Sequence, residues 1–432
     1  MQNTAEKDLE QHHVDHLLLL IGRNPLPNGV AAWALAAPGG RIYLIHTGPG
    51  GTQSVQERLK PWIEEVLRNH RGSPICIPKE IDSSKPHEIY SAVQSCLNEV
   101  KPGQTIGLNY TGGTKAMAVH AYHALKQARP DSQFSYLDAT TLELRFDPTD
   151  PTQPGGAPPS SLENYPALCL EDLIRLHGWK YWPNTVPMKG VPMPQTVAKL
   201  GQVFGTPKST SANGVRAWRT WKSKFRDGRP GSISLKDLES DRRTPADLVQ
   251  AMRRDLGSCL CSDETFDIEQ TARHLGFNKA KDFIRYLDGS WLEGLVLEAL
   301  NQLHLDYKVQ DACMNVELMP DKGKQFKFEF DVVGLRGYQL FAFSCSAISE
   351  QDEDGWYRMK QKLFEAYIRA RQFGGDEARV ALVCATTNTV GLQRHLQREL
   401  DLEKNTRRIR VFGCNDLTKL PQKIEKWIRQ QA

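Results

Sequence analysis

The 432-residue sequence contains no long apolar run. No stretch approaches the ~20 apolar residues that a membrane-spanning helix requires, so no membrane partner is expected. The opening residues, MQNTAEKDLEQHHVDH, are polar and acidic where a secretory leader would be basic and then apolar. A soluble, cytoplasmic protein is the expectation. The nine cysteines make no C-x-x-C pair, since Cys259 and Cys261 are separated by one residue. Their odd number and scatter argue against a disulfide framework or a structural zinc site. Charge is also nearly balanced: 55 Lys and Arg against 51 Asp and Glu, net +4. Bulk charge therefore makes no case for a nucleic-acid partner. The chain has no Walker A loop, no G-x-G-x-x-G and no internal repeat.

The remaining composition, 40% hydrophobic and 25% charged, is that of a globular protein of two or three domains. Over residues 1–150, short apolar runs alternate with amphipathic stretches. His16–Ile21, Arg41–His46, Ser73–Ile77 and Thr105–Tyr110 read as strands, and Ser54–His70, Pro86–Val100 and Ala116–Gln127 as helices. Ser132–Leu137 and Leu142–Phe146 read as a closing strand pair. This alternation predicts a mostly parallel sheet covered on both faces, with ligands bound beyond the carboxyl ends of its strands. Asp147–Ser161, rich in Pro, Gly and Ser, marks a boundary. Residues 151–287 read as a linker and helical connecting region, including Ser234–Leu256 and Ile268–His274. Within it, Arg216–Arg229 is basic and carries Trp218 and Trp221. It reads either as a solvated helix face or as a nucleic-acid contact. Residues 288–432 read as a second α/β domain, with helices at Trp291–Leu303, Trp356–Gln372, near Leu392–Leu400 and at Pro421–Gln431. Its strands are expected at Phe326–Val333, Gln339–Cys345, Arg379–Cys384 and Arg408–Phe412.

Two constellations carry chemistry. The first, Asn109-Tyr110-Thr111-Gly112-Gly113-Thr114-Lys115-Ala116-Met117, joins a strand to a helix. Its glycines permit close backbone approach, and the free N–H groups at the helix start suit a phosphate. A ligand-free glycine-rich turn is the plain alternative. N-x-T-G-G-T-K-x-M after a strand resembles the signature loop of CARF domains, in particular those of the CARF–nuclease effectors of type III CRISPR systems. Gly22-Arg23-Asn24-Pro25-Leu26-Pro27-Asn28, after the first strand, resembles that family's second ligand loop. The resemblance implies a Rossmann-like domain that dimerises and binds a two-fold-symmetric cyclic oligoadenylate, here cyclic tetra-adenylate. Thr111, Gly112, Gly113, Thr114 and Lys115 would then hold phosphates and riboses. Asn24, Pro25 and Asn28 would close over the ligand, with Thr47 and Gly48 contributing after the second strand.

The second constellation resembles the PD-(D/E)xK nuclease arrangement, in which carboxylates converge on Mg²⁺ or Mn²⁺ and a lysine orients water. Glu293 resembles the helix carboxylate and Asp331 the central metal ligand. The next strand should carry E-x-K but reads Ser344-Cys345-Ser346. Either the lysine has moved to the following helix, to Lys360 or Lys362 with Glu365 nearby, or the domain is inactive and structural. Glu329 alternates with Asp331 and is a second-ligand or ion-pair candidate. The expected fold is thus α/β: a Rossmann-like CARF domain, a helical connector and a restriction-endonuclease-like α/β domain. The expected activity is metal-dependent cleavage of DNA and/or RNA by a homodimer, with Glu293, Asp331 and Lys362 as the catalytic set. The rival is a cyclic-nucleotide-binding regulator without catalysis.

Overall fold

The computed structural model describes residues 9–148, 159–162, 165–205, 208–225, 231–303, 309–322, 326–347, 354–399 and 408–429. Most of the Pro/Gly/Ser-rich boundary lies outside them. The continuous apolar runs form β1 (Val14–Leu20), β2 (Ala36–Thr47), β3 (Ile75–Ile81), β4 (Ile106–Asn109) and β5 (Gln133–Asp138), all parallel. The antiparallel β6 (Glu143–Phe146) and β7 (Ser160–Ser161) complete the order β3-β2-β1-β4-β5-β6-β7. A strand segment buried on both faces is expected to be continuously apolar, and Leu17–Leu20 of β1 is. Leu17 and Leu19 join Ile42 and Leu44 in one core, while Leu18 and Leu20 join Tyr43 and Ile45 in another. Strand order reverses between β1 and β4. The helices Leu26–Leu35 and Gln53–Arg71 consequently cover one face, and Pro86–Leu97 and Lys115–Ala128 the other. Such a reversal opens a crevice at the strands' carboxyl ends.

The next segment contributes β8 (Trp179–Tyr181) and an antiparallel pair, β9 (Ser232–Ser234) with β10 (Thr265–Asp267). The second large sheet adds β11 (Val309–Pro320), β12 (Phe328–Arg336), β13 (Gln339–Ser346), β14 (Arg379–Cys384) and β15 (Ile409–Phe412), in the order β15-β14-β13-β12-β11-β8. Its β8–β13 edge is antiparallel, and β13, β14 and β15 run parallel. The architecture is the expected α/β one, with local departures. Residues 234–256 are not one helix: Lys236–Glu239 and Ala246–Leu256 are separated by a turn where Arg243 pairs with Asp241 at 2.6 Å and Pro245 precedes the second helix.

One hydrophobic cluster joins both sheets. It runs from Leu26, Leu59 and Trp62 through Leu173, on the helix Leu170–Leu176, to Phe330, Leu340, Leu363 and Phe373. The long helix Gly355–Gly374 enters this shared core through Met359, Leu363, Tyr367, Ala370 and Phe373, a stripe at helical spacing. Among the described residues no helix is long and apolar enough to cross a membrane.

Candidate functional site

The crevice at the switch point is built by two glycine-bearing turns pressed together. A Cβ on Gly112 would collide with the Leu20 carbonyl oxygen, and Gly113 has φ +76°, so neither position accepts another residue without strain. Gly22 lies against the Gly113 nitrogen. Asn28 is wholly buried beneath the turns and donates from Nδ2 to Leu20 O at 2.9 Å, leaving Oδ1 without a protein partner. The Thr111 hydroxyl accepts from Leu137 N at 2.7 Å, and Thr114 caps the helix Lys115–Ala128 by accepting from Met117 N at 3.2 Å. Lys115 is exposed in that helix's first turn. Thr47 and Thr52 bond each other reciprocally, hydroxyl to backbone N–H at 3.0 and 2.9 Å. Gly48 faces the Glu80 carboxylate. Pro25 is buried as the N-cap of Leu26–Leu35, a helix that forms where the sequence reads as loop. Asn24 is turned away from the glycine turns. Its Oδ1 accepts from Leu26 N at 3.0 Å and lies 3.1 Å from His177 Nε2. Arg23, exposed in the same loop, is a cation the motif reading passed over.

The second site forms where β12 and β13 part. Their pairing ends at Val332 with Phe343, so the next residues on each strand lack ladder partners across that gap. Asp331 fills it: Oδ2 accepts from Cys345 N at 2.7 Å and from Ser344 Oγ at 3.3 Å. Lys362, from the helix Gly355–Gly374, brings Nζ to 3.2 Å from the same oxygen and donates to Cys345 O at 2.8 Å. Lys362 thus reaches Asp331 from the neighbouring helix, whereas β13 carries Ser344 and Ser346 there. Lys360 instead pairs with Glu399. Glu293 stands in the first turn of the helix Trp291–Gln302, just after a π-turn over Tyr286–Ser290, and is 5% exposed. Burial, with the negative charge of Asp331 added, pushes its carboxyl up to about 8. For Lys362, burial pulls down, but the Asp331 and Glu293 carboxylates outweigh it and raise the ammonium above its usual value. Glu329 pairs with Arg285 at 3.0 Å.

These groups line a cavity of 970 Å³ to which Arg219, Lys222, Arg285, Lys327 and Arg358 add cations, and Asp288 and Glu365 join Glu293, Glu329 and Asp331 among the acids. The basic stretch of the connecting region is therefore divided. Trp218 and Trp221 are core residues, with Trp221 Nε1 bonded to Ser234 O at 3.1 Å, and offer no stacking face. Arg219 and Lys222 do reach the cavity, and Lys222 donates to Asp288 O at 2.6 Å on the π-turn. In sequence those cations looked like a solvated face because nothing local ties residue 219 to residue 331. His120 and His123 pack around Tyr90. Among the described residues no three His, Cys, Asp or Glu side chains gather as a metal cluster. The donor set at Glu293 and Asp331 is instead a pair of hard carboxylates. That pair fits a divalent ion of the Mg²⁺ or Mn²⁺ type, which keeps several waters and needs only one or two such ligands.

Fold and sites together define a two-domain α/β protein, one domain offering a switch-point crevice and the other an acidic cavity with an inserted lysine. Residues 280–431 match the family model of the Card1-like endonuclease domain, and most of the cavity's lining, though not Arg219, Lys222 and Ser223, falls within that match. Over nearly its whole length the chain shares its fold with protein VC1899 from Vibrio cholerae, at 17% identity, 96% of this chain, 98% of that one and a TM-score of 0.65. It is similarly related to Can2 from Sulfobacillus thermosulfidooxidans, whose structure is a complex with cyclic tetra-adenylate, at 15% identity, 98% and 99% coverage and a TM-score of 0.62. No curated protein matches the sequence. The expected architecture, an N-terminal Rossmann-like sheet followed by a C-terminal α/β sheet, is the one observed, and the match to the endonuclease-domain model falls on its C-terminal part.

Proposed function

We propose that the chain is a cytoplasmic nuclease of type III CRISPR defence, switched on by cyclic oligoadenylate, in particular cyclic tetra-adenylate. Residues 1–150 serve as sensor, 151–287 as connector and 288–432 as nuclease. A two-fold ligand calls for paired crevices, hence a homodimer. The observation that carries the reading is Lys362 Nζ, 3.2 Å from Asp331 beside buried Glu293 in a cavity that cations also line. Glu293 and Asp331 would hold Mg²⁺ or Mn²⁺, which supplies Lewis-acid polarisation of the phosphodiester. Lys362 orients the attacking water, and Arg219 and Arg358 in the cavity lining seat the flanking phosphates of DNA or RNA. Incubation with Mn²⁺ or Mg²⁺, with and without cyclic tetra-adenylate, on single-stranded and supercoiled substrates tests this. Absence of ligand-dependent cleavage from all of them would instead favour the non-catalytic regulator that Ser344 and Ser346 motivate.

On the sensor side, the helix start at Lys115 and the turn amides meet the ligand's phosphates. Lys115→Ala is expected to weaken cyclic tetra-adenylate binding roughly tenfold by calorimetry, the loss of one charge-assisted contact. Unchanged affinity would remove the phosphate role.

Communication between the sites has a physical route. Asn24 contacts His177, whose ring lies 5.5 Å from that of Phe373, and Asn24 also lies against Gly375 at the end of the helix that carries Lys362. His177→Phe keeps the ring but removes the nitrogen facing Asn24. Ligand-stimulated cleavage is expected to fall at least ~5-fold, the low end of ordinary coupling energies, with ligand affinity within a few-fold. Full stimulation would show that the signal travels elsewhere.

A further inference from the structure

A second cavity, of 590 Å³, adjoins the acidic one and shares with it Arg285, Ser290, Glu293 and Lys327. Beyond those shared residues the lining changes. Trp182 contributes aromatic surface beside the buried Phe277 and Tyr286, and Asn184, Asn278 and Asn315 contribute amides. Trp182 is half-buried and Phe277 is 9% exposed. Tyr286 is 2% exposed, and its hydroxyl has no hydrogen-bond partner within the protein. Asn278 Nδ2 donates to Asn184 O at 3.1 Å, fixing one loop of the wall to the other.

Charge in this annex is largely cancelled. Lys327 pairs with Glu317 at 2.5 Å and Arg285 with Glu329 at 3.0 Å, while Lys279 and Asp282 line the wall together. A phosphate would find Arg285 and Lys327 already engaged by carboxylates. A flat, uncharged group with donors and acceptors along its edge matches the lining better, because aromatic faces stack on it and amides read its edge. The position, sharing Glu293 with the acidic cavity, puts such a group one step along the strand from the bond to be cut.

We propose that the annex is a nucleobase subsite of the nuclease. The base next to the scissile phosphate leaves its stack, enters the annex, and meets Trp182 with its face and the asparagines with its edge. The inference rests on the nuclease reading. It makes the substrate a single strand, or a duplex opened locally, because a base held in a helix cannot reach the annex without unstacking.

The test separates the subsite from the cutting. With full-length protein in EDTA, where a metal-dependent enzyme does not cut, fluorescence anisotropy compares intact single-stranded oligonucleotides with versions abasic at one position in turn. Deoxy and ribo series are both run. Wild-type protein is expected to bind one abasic position roughly tenfold more weakly than the intact strand, the ordinary worth of one base stacked on an aromatic side chain. Trp182→Ala is expected to bind intact and abasic strands equally, with its melting temperature close to wild type because the side chain lies outside the fully buried core. Asn315→Gly, which preserves the left-handed backbone at φ 59°, is expected to change which base is preferred at that position. Equal binding of intact and abasic strands by wild-type protein, or undiminished discrimination in both variants, overturns the subsite. Failure of the nuclease reading shows separately, as absence of cutting once Mn²⁺ and cyclic tetra-adenylate are restored.

Discussion

Asp331→Asn is expected to lower ligand-stimulated cleavage on the order of 10³-fold, as when a preorganised electrostatic group is taken from a transition state. The carboxylate has two tasks that the variant separates. As a structural acceptor, Oδ2 satisfies the Cys345 N–H at the point where β12 and β13 diverge. As a charge, it draws the Lys362 ammonium and, on the proposed reading, would supply half of the metal's donor pair. Asparagine keeps a carbonyl oxygen for Cys345 and loses the charge, so its melting temperature should stay near wild type while cleavage falls by that factor. Alanine loses both, and an unpaired buried N–H costs about 1–3 kcal/mol. Asp331→Ala should therefore melt several degrees lower, by thermal denaturation followed with circular dichroism. Wild-type cleavage by the asparagine variant would show that the nuclease centre lies elsewhere.

The parts of the molecule that were legible in sequence are those governed by local patterning. The run of leucines before Gly22 forms β1, buried on both faces, and Arg379–Cys384 and Ile268–His274 form the expected strand and helix to the residue. Strand β11 escaped notice because Val309–Pro320 mixes polar and apolar residues without clean alternation. Asn315, in a left-handed conformation within it, changes which way successive side chains face: Met314 packs in one core and Val316 in another. The helix Leu26–Leu35 was hidden by the Pro-rich start and Gly29, both poor helix signals; Gly29 is needed because a Cβ there would meet the Trp62 ring at 2.8 Å. At the site, Glu293 and Asp331 could be picked out by motif. The placement of Lys362, and the arrival of Arg219 and Lys222 from the connecting region, depend on which helices the shared core packs together, and no local spacing encodes that.

Lys362→Met is expected to reduce cleavage by roughly 10²–10⁴-fold, the usual worth of a positioned group that handles a proton or its water, with cyclic tetra-adenylate binding unaltered. Methionine keeps the length and apolar stem of the side chain, so the packing of Leu363 and Met359 beneath it is preserved. It removes the donor to Asp331 Oδ2 and Cys345 O. Arginine, with a planar fork in place of a compact ammonium, should restore only part of the rate. A relocation distinguishes a chemical lysine from one that merely balances charge. The E-x-K pattern would put its lysine at Ser346, which is 5% exposed and lines the same cavity. Ser346→Lys in the Lys362→Met background is expected to regain at least tenfold of the lost rate, because the ammonium again faces Asp331, now from the strand. The control is Asn388→Lys in the same background: residue 388 is not among those lining the cavity, so it restores the net charge without restoring the rate. Equal recovery by both would reduce Lys362 to bulk electrostatics. Recovery by Ser346→Lys alone would mean that this domain kept its lysine in space while surrendering it in sequence.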